Sequence, residues 1–226
     1  MNKLDWKSLG QMNSAFLNLY TNIRDTLIEK GVGIEIVGWL LGEGKKSFVS
    51  ALEALGSEYV ATQRVRVISK NVIMVNLDAP PKLPFEGAVV EANTGGGWVK
   101  VENRRGELCV AGRKIILHLE DGQKDDKVMG GHKLRDALTG KAVEHPNVLD
   151  ALLEHPHLIP ESWKVDEQGR TRYVFFWAVV YRDSQATDAS LYVRCLFFRV
   201  AGWHEGCRWL DGGWRGRPPA ALRAST

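Results

Sequence analysis

The chain has 226 residues, of which 44% are apolar and 25% are charged, and its formal net charge is +3. These are ordinary values for a globular protein. The weak positive charge is spread along the sequence and lacks the concentrated Lys and Arg of a dedicated nucleic-acid-binding domain. No window reaches 18 consecutive apolar residues, so we expect no membrane-spanning segment.

The three cysteines, Cys109, Cys195 and Cys207, are an odd number without short paired spacing. A disulfide framework is therefore not expected, and a reducing compartment is the simpler interpretation. The first ten residues contain no apolar signal core. We expect a cytoplasmic protein.

Residues 1–78 are predicted to form a helical and mixed N-terminal portion. Apolar side chains recur at three- and four-residue steps over residues 12–30, which predicts an amphipathic helix, and a second helix is predicted for residues 47–55. Residues 63–78 then alternate between apolar and polar positions around a turn at residues 69–71, which predicts a β-hairpin.

Residues 79–127 are predicted to form a β-rich central portion. Three prolines between residues 79 and 84 indicate a stiff connector, because proline fixes φ and cannot donate to a sheet ladder. Beyond it, four short apolar runs are separated by turns, which is typical of an antiparallel meander or a small barrel. The runs are residues 87–93, 97–102, 107–111 and 113–119.

Residues 128–226 are predicted to form an α+β C-terminal unit. Two short helices are expected over residues 132–138 and 147–154, the second with Asn147 as its N-cap. Three runs dense in Trp, Phe, Tyr and Arg follow, and we expect them to form one antiparallel meander with both faces covered, because neither face of the middle run is cleanly polar. The runs are residues 172–181, 191–200 and 203–210.

The order of these elements predicts the fold class. Strands, helices and then strands, without a repeated strand–helix–strand rhythm, indicate an α+β fold rather than a doubly wound sheet. We therefore expect N-terminal helices, a central antiparallel β-rich portion and a C-terminal antiparallel meander with short helices.

Motifs for phosphate binding, metal ligation and covalent catalysis are weak. The sequence Gly-Glu-Gly-Lys-Lys-Ser at residues 42–47 lacks the first glycine of a phosphate loop, because position 39 is Trp. His155 and His157 form a close pair, but no C-x-x-C or H-E-x-x-H spacing accompanies them, so we expect no structural zinc and no metal site. We predict no cofactor and find no catalytic motif. One alternative stays open: an enzyme whose active site is assembled from residues far apart in the sequence.

Several short sequences with a distinctive spacing lie between residue 131 and the C-terminus. They are Gly-His-Lys-Leu at 131–134, Asn-Val-Leu-Asp at 147–150, Leu-Ile-Pro-Glu-Ser-Trp-Lys at 158–164, Phe-Trp at 176–177, Tyr-Arg-Asp-Ser at 181–184, Tyr-Val-Arg at 192–194, Trp-Leu-Asp at 209–211 and Pro-Ala-Ala at 219–221. In these features the region resembles an uncharacterised domain of predicted bacterial proteins with no known function. The resemblance implies that residues 131–226 form one unit, and it implies no activity, ligand or site residue.

The candidate binding site lies on the C-terminal sheet. Alternation along the third run places Trp203 and Trp209 on one strand face, and the glycines before Trp214 give that side chain a flexible approach. Tryptophan and arginine dominate many binding surfaces, because one offers broad apolar contact and the other planar hydrogen bonding. The alternative is that these aromatics are core. The predicted contact residues are Trp203, Trp209, Trp214, Arg194 and Arg208.

These observations predict a soluble, non-enzymatic binding or adapter module whose partner is a protein. One alternative is nucleic-acid binding through arginines with interleaved tryptophans, which salt-dependent retention on DNA or heparin would reveal. The arginines in question are Arg194, Arg199, Arg208, Arg215 and Arg217. The other alternative is the enzyme with a dispersed site.

Overall fold

The computed structural model describes residues 63–225 except 126, 187–189, 201 and 216–217, together with isolated positions between residues 14 and 50. The chain divides into two compact units, Met1–Tyr59 and Val60–Thr226. The helices predicted over residues 12–30 and 47–55 fall in the first unit and, apart from isolated positions, lie outside the described residues. The second unit is mostly β, with a few short helices.

In its described part, the second unit contains twelve strands, two α-helices and three 3-10 helices. The strands are β1 (Val65–Ser69), β2 (Val72–Asn76), β3 (Ala88–Asn93), β4 (Trp98–Arg104), β5 (Glu107–Val110), β6 (Arg113–His118), β7 (Val128–Gly130), β8 (Tyr173–Asp183), β9 (Leu191–Arg199), β10 (Gly202–Trp209), β11 (Gly213–Arg215) and β12 (Ala220–Arg223). The helices are α1 (Gly131–Leu138), α2 (Pro146–Glu154) and the 3-10 turns Asp121–Gln123, Pro156–Leu158 and Glu161–Trp163. Across the described residues, no helix is long and apolar enough to span a lipid bilayer.

Ten of the described strands form one sheet that curls into a half-barrel. Its order is β1-β2-β4-β5-β6-β12-β8-β9-β10, and β3 pairs with β8 outside this path. The sheet is mixed because β12 runs parallel to β8 and antiparallel to β6. Strands β7 and β11 form a separate antiparallel pair.

The predicted C-terminal meander is confirmed. Strand β8 pairs antiparallel with β9, and β9 pairs antiparallel with β10 in a continuous register that sets Phe198 opposite Trp203. The hairpin predicted over residues 63–78 is also confirmed as β1 and β2. In all three pairs strand-forming side chains flank a short connection, so local sequence was enough to predict the partner.

The meander predicted for the central portion is correct for β4, β5 and β6 and wrong for β3. Strand β3 pairs with the distant β8 instead of β4. Just after β3, the backbone N–H of Thr94 donates to the carbonyl of Ala178 at 2.7 Å, which holds the chain against β8. Gly95 and Gly97 then adopt φ of +126° and +74°, a region open to glycine, and lead the chain across to β4.

Both faces of the β8–β9–β10 meander carry apolar cores, as the mixed pattern predicted, because successive side chains of a strand point to opposite faces. The larger core includes Val174, Phe176 and Leu196 of the sheet with Val148, Leu149 and Leu152 of α2. The smaller core includes Phe175, Trp177, Val193 and Cys195 of the sheet with Leu134 and Leu138 of α1 and Trp214 of β11.

The predicted N-cap of α2 is wrong. The helix begins at Pro146, and its N-cap is His145, whose Nδ1 accepts the backbone N–H of Asn147 at 3.0 Å. The Asn147 side chain instead donates to the carbonyls of Asn76 and Ala79, at 2.9 and 2.8 Å. Asn147 thus joins α2 to the start of the proline connector, an interaction that local sequence does not reveal.

Candidate functional site

Strand β10 lies at one end of the ten-stranded sheet, and no described strand pairs with its outer side. The backbone N–H of Leu210 donates to Leu191 at 2.8 Å, and the β9–β10 register is continuous from there. Because hydrogen-bonded and non-hydrogen-bonded pairs alternate in an antiparallel ladder, every second residue of β10 turns its amide and carbonyl outwards. These residues are Trp203, Glu205, Cys207 and Trp209.

A cluster of partly exposed aromatic rings lies at the end of this edge. Trp209 keeps 44% of its surface exposed and lies directly opposite Tyr192 of β9. The Tyr192 ring in turn meets Phe85 edge-on, with ring centroids 4.9 Å apart. Phe85, Tyr192 and Trp209 together form what we call the edge aromatic patch. Of the predicted contact residues, Trp209 has the clearest surface position.

Trp203 lies on the same face as Trp209 but at the other end of β10. It is half-buried, packs edge-on against Phe198 with centroids 5.3 Å apart, and borders the larger core. Trp209 follows it six positions later along the strand, a distance of roughly 20 Å. The two tryptophans therefore do not form one platform.

Arg194 is buried beneath the edge and is engaged by acidic groups. Its guanidinium donates to both carboxylate oxygens of Asp150, at 2.6 and 3.2 Å, and also contacts the Glu205 carboxylate. A further bond at 3.3 Å reaches the carbonyl of Lys82 in the proline connector. Since the side chain is 1% exposed, the expectation that Arg194 belongs to an accessible surface is wrong. Arg194 instead ties β9 to α2, β10 and the connector.

Trp214 is also buried, so the expectation that its side chain lies on a flexible, accessible segment is wrong. Its indole packs against Phe175 and Trp177 in the smaller core, with ring centroids 4.6 and 5.0 Å away. Strand β11 is held there by its pairing with β7, which sets Trp214 opposite Met129. The glycines around Trp214 suggested freedom, but tertiary packing fixes this side chain.

Arg208 is exposed and lies on the opposite face of β10 from Trp209. Its guanidinium stacks over the Trp214 ring at 5.0 Å and donates to the carbonyl of Gly213 at 2.7 Å. The register pairs Arg208 with Val193 and Cys207 with Arg194, so the two predicted arginines face opposite sides of the sheet. They do not meet.

Exposed arginines lie on β9, β10 and β11. Arg199, Arg208 and Arg215 are exposed, and none of them forms an ion pair with a described acidic residue. The acidic side chains nearby are already engaged: Glu205 contacts Arg194, and Asp211 lies 2.9 Å from the His132 ring. Arg217, the fifth arginine of the nucleic-acid alternative, lies outside the described residues.

The histidines and cysteines considered as metal ligands lie in separate places. The rings of His155 and His157 are 6.1 Å apart, and His157 interacts with the backbone carbonyl of Lys70. Cys195 and Cys207 occupy opposite faces of the meander, because they lie one position out of register. Within the part of the chain that the structure describes, no group of three or more His, Cys, Asp or Glu side chains is arranged to hold a metal ion.

One buried carboxyl group has no signal in the sequence. Glu144 is 1% exposed, and its Oε1 lies 2.9 Å from Nε of Arg223. Burial raises the pKa of Glu144 to about 7, against the opposing attraction of Arg223. The adjacent His145 is also buried, which lowers its pKa to about 4 and leaves it neutral as the cap of α2. No local pattern marks Glu144, because its burial depends on strand β12, far along the chain.

Two members of the edge aromatic patch were also missed. Tyr192 could have been found by setting the predicted second and third runs of the meander in register, since it lies opposite Trp209. Phe85 follows the proline connector and carries no local signal. No family model matches this chain, and no solved structure is significantly similar to it.

Proposed function

We propose that the protein is a non-enzymatic binding module that takes up an extended segment of another protein along the free edge of β10. The observation that carries this proposal is the combination of outward backbone groups with the partly exposed Trp209 on one edge strand. An extended segment that adds to a sheet edge gains main-chain hydrogen bonds, and neighbouring side chains give the interaction its specificity.

The edge aromatic patch supplies the apolar anchor. Trp209 and Tyr192 are directly opposite each other across β10 and β9, and Phe85 holds the Tyr192 ring from the far side. Large aromatic side chains add apolar contact at a small entropic cost, because they have few rotatable bonds. Trp203 offers a second, smaller contact at the other end of the strand.

The exposed arginines define the chemistry of the partner. Arg208 of β10 and Arg199 at the end of the neighbouring β9 are exposed cationic groups without described acidic partners. Charge complementarity therefore favours a segment that carries Asp or Glu at alternate positions. Arg194 and Trp214 are buried on opposite faces of the meander and do not touch the partner.

A defined peptide tests this proposal. Decapeptides enriched from a random display library on the purified protein would be synthesised, and their affinity measured by fluorescence anisotropy. Cys207→Pro removes an outward N–H from the free edge, a change that edge strands tolerate, and Cys207→Ser is the matched control that keeps it. Trp209→Ala removes the apolar anchor.

We expect enriched peptides to carry acidic residues, to lose at least tenfold in affinity with Trp209→Ala and Cys207→Pro, and to keep their affinity with Cys207→Ser. Failure to enrich any peptide, or binding that is indifferent to both substitutions, would refute the proposal. Tighter binding of single-stranded oligo-dT, with a steep salt dependence, would assign the same arginines to nucleic acid instead.

A further inference from the structure

A cavity of about 330 Å³ lies between the end of α1 and strands β3 and β8, apart from the β10 edge. Its size is within the range of pockets that bind small molecules. The walls are apolar where α1 and its following loop face the sheet, with Leu138 and Val143 on one side and Trp177 and Val180 on the other. An apolar body of modest size fits such a space.

The cavity lies where β8 departs from β9. Phe176 is opposite Arg194, but the next aligned pair is Tyr181 and Tyr192, so four residues of β8 face a single residue of β9. Along its other edge β8 pairs with β3, with Val180 opposite Ala92. Bulges of this kind re-aim side chains and are common beside binding sites.

Hydrogen bonds hold the floor of the cavity in place. The carbonyl of Ala178 accepts both the backbone N–H and the hydroxyl of Thr94, at 2.7 and 3.1 Å. The backbone N–H of Ala178 in turn donates to the carbonyl of Glu144 at 3.1 Å. The site is therefore preformed, which lowers the entropic cost of binding a ligand.

The charged groups at the cavity are positive. Arg135 and Lys141 line it, and none of the described lining residues is acidic. Lys141 is already engaged by Glu120, whereas Arg135 has no ion-pair partner among the described acidic residues. The guanidinium of Arg135 is thus available for an anionic group, and its planar fork matches a carboxylate in two parallel hydrogen bonds.

We propose that this cavity binds a small organic carboxylate, with the apolar body against Trp177 and Val180 and the carboxylate on Arg135. The apolar walls favour a ligand with an apolar body, because binding buries that body, and the Arg135 guanidinium favours a ligand with a negative charge. A neutral molecule of the same shape would gain the apolar contacts but would leave the Arg135 interaction unmade. This site is separate from the proposed protein-binding edge, so either can hold without the other.

Isothermal titration of the full chain with octanoate and with octanol tests this inference. Arg135→Gln removes the charge at a partly exposed helical position. Lys133→Gln is the matched control, because Lys133 is on the same helix but lines a different cavity. Ala92→Leu fills the cavity from β3, and circular dichroism checks the fold of each variant.

We expect octanoate to bind at least tenfold more tightly than octanol, a preference that Arg135→Gln abolishes and Lys133→Gln preserves. Ala92→Leu is expected to weaken both ligands, and if that variant does not fold, the Arg135→Gln comparison decides. Equal binding of octanoate and octanol, an unchanged affinity in Arg135→Gln, or no binding of octanoate at millimolar concentration would each overturn the proposal.

Discussion

The guanidinium of Arg194 reaches both carboxylate oxygens of Asp150, at 2.6 and 3.2 Å, and so joins strand β9 to helix α2 beside the larger core. Both side chains are nearly inaccessible to solvent, at 1% and 5% exposure. Removing one member of such a pair leaves a buried charge without its partner, which is more damaging than removing both.

Arg194→Ala is therefore expected to lower the free energy of unfolding by about 3–5 kcal/mol. Urea denaturation measures the loss. The double variant Arg194→Met with Asp150→Leu is expected to recover part of it, because it removes the buried Asp150 carboxylate together with the Arg194 guanidinium. A single variant that loses less than about 1 kcal/mol would show that the pair does not support this part of the fold.

Trp214 and Trp209 are expected to respond in opposite ways to truncation. Trp214→Ala opens a large hole in the smaller core and is expected to lower the free energy of unfolding by about 3–5 kcal/mol. Trp209→Ala removes a half-exposed ring and is expected to lower it by about 1 kcal/mol or less while weakening peptide binding. The same denaturation measurement on both variants tests this contrast, and equal losses would contradict the assignment of buried and exposed roles.

At Gly131, the first residue of α1, there is no room for a side chain. A Cβ there would lie 2.3 Å from the carbonyl oxygen of Leu210 and 2.5 Å from Nε1 of Trp214, so backbone would have to move. Gly131→Ala is expected to lower the free energy of unfolding by about 1–3 kcal/mol. The control is Gly130→Ser, where no atom lies within 4 Å and serine suits the N-cap. Similar stabilities for the two variants would argue against this close approach.

The buried Glu144 predicts a specific dependence of stability on pH. The unfolded carboxyl has a pKa near 4.5, whereas burial raises the folded pKa to about 7. Between these values the folded protein holds a proton that the unfolded chain has released, so stability falls as pH rises from about 4.5 to about 7 and then levels off. A shift of this size corresponds to about 3 kcal/mol.

Glu144→Gln is expected to remove this dependence. Relative to the unchanged protein, the variant should gain stability progressively from pH 5 to pH 8, as measured by urea denaturation across that range. Glu86→Gln, at an exposed position, is the control that should leave the profile unaltered. The prediction fails if the difference in free energy of unfolding between Glu144→Gln and the unchanged protein is the same at pH 5 and at pH 8. Glu144 would then be ionised in the folded protein throughout this range.

Local sequence predicted the elements that depend on neighbours along the chain. Strands β8, β9 and β10 were visible because apolar runs were joined by short connections, and α1 was found within one residue of its start. Strand β3 was recognised as a strand, but its partner β8 begins about eighty residues later, and no local pattern specifies such a pairing.

The site was predicted less well than the fold, because exposure is a tertiary property. Arg194 is an ordinary strand arginine until Asp150, 44 residues earlier, is placed against it. Trp214 lies among glycines that suggest a loop, yet the pairing of β7 with β11 directs its side chain into the smaller core. Trp209 is half-exposed because β10 lies at the end of the sheet, whereas strand alternation alone places it on the same face as the more buried Trp203.

The most direct test is amide hydrogen exchange of β10, measured by NMR with and without an enriched acidic peptide. In the free protein, the outward amides of Trp203, Glu205, Cys207 and Trp209 should exchange faster than the inward amides between them. On saturation with peptide, we predict that the outward amides become protected, because they enter a new ladder. Outward amides that are already protected in the free protein, or that stay unprotected when the peptide is bound, would contradict the assignment of β10 as the binding edge.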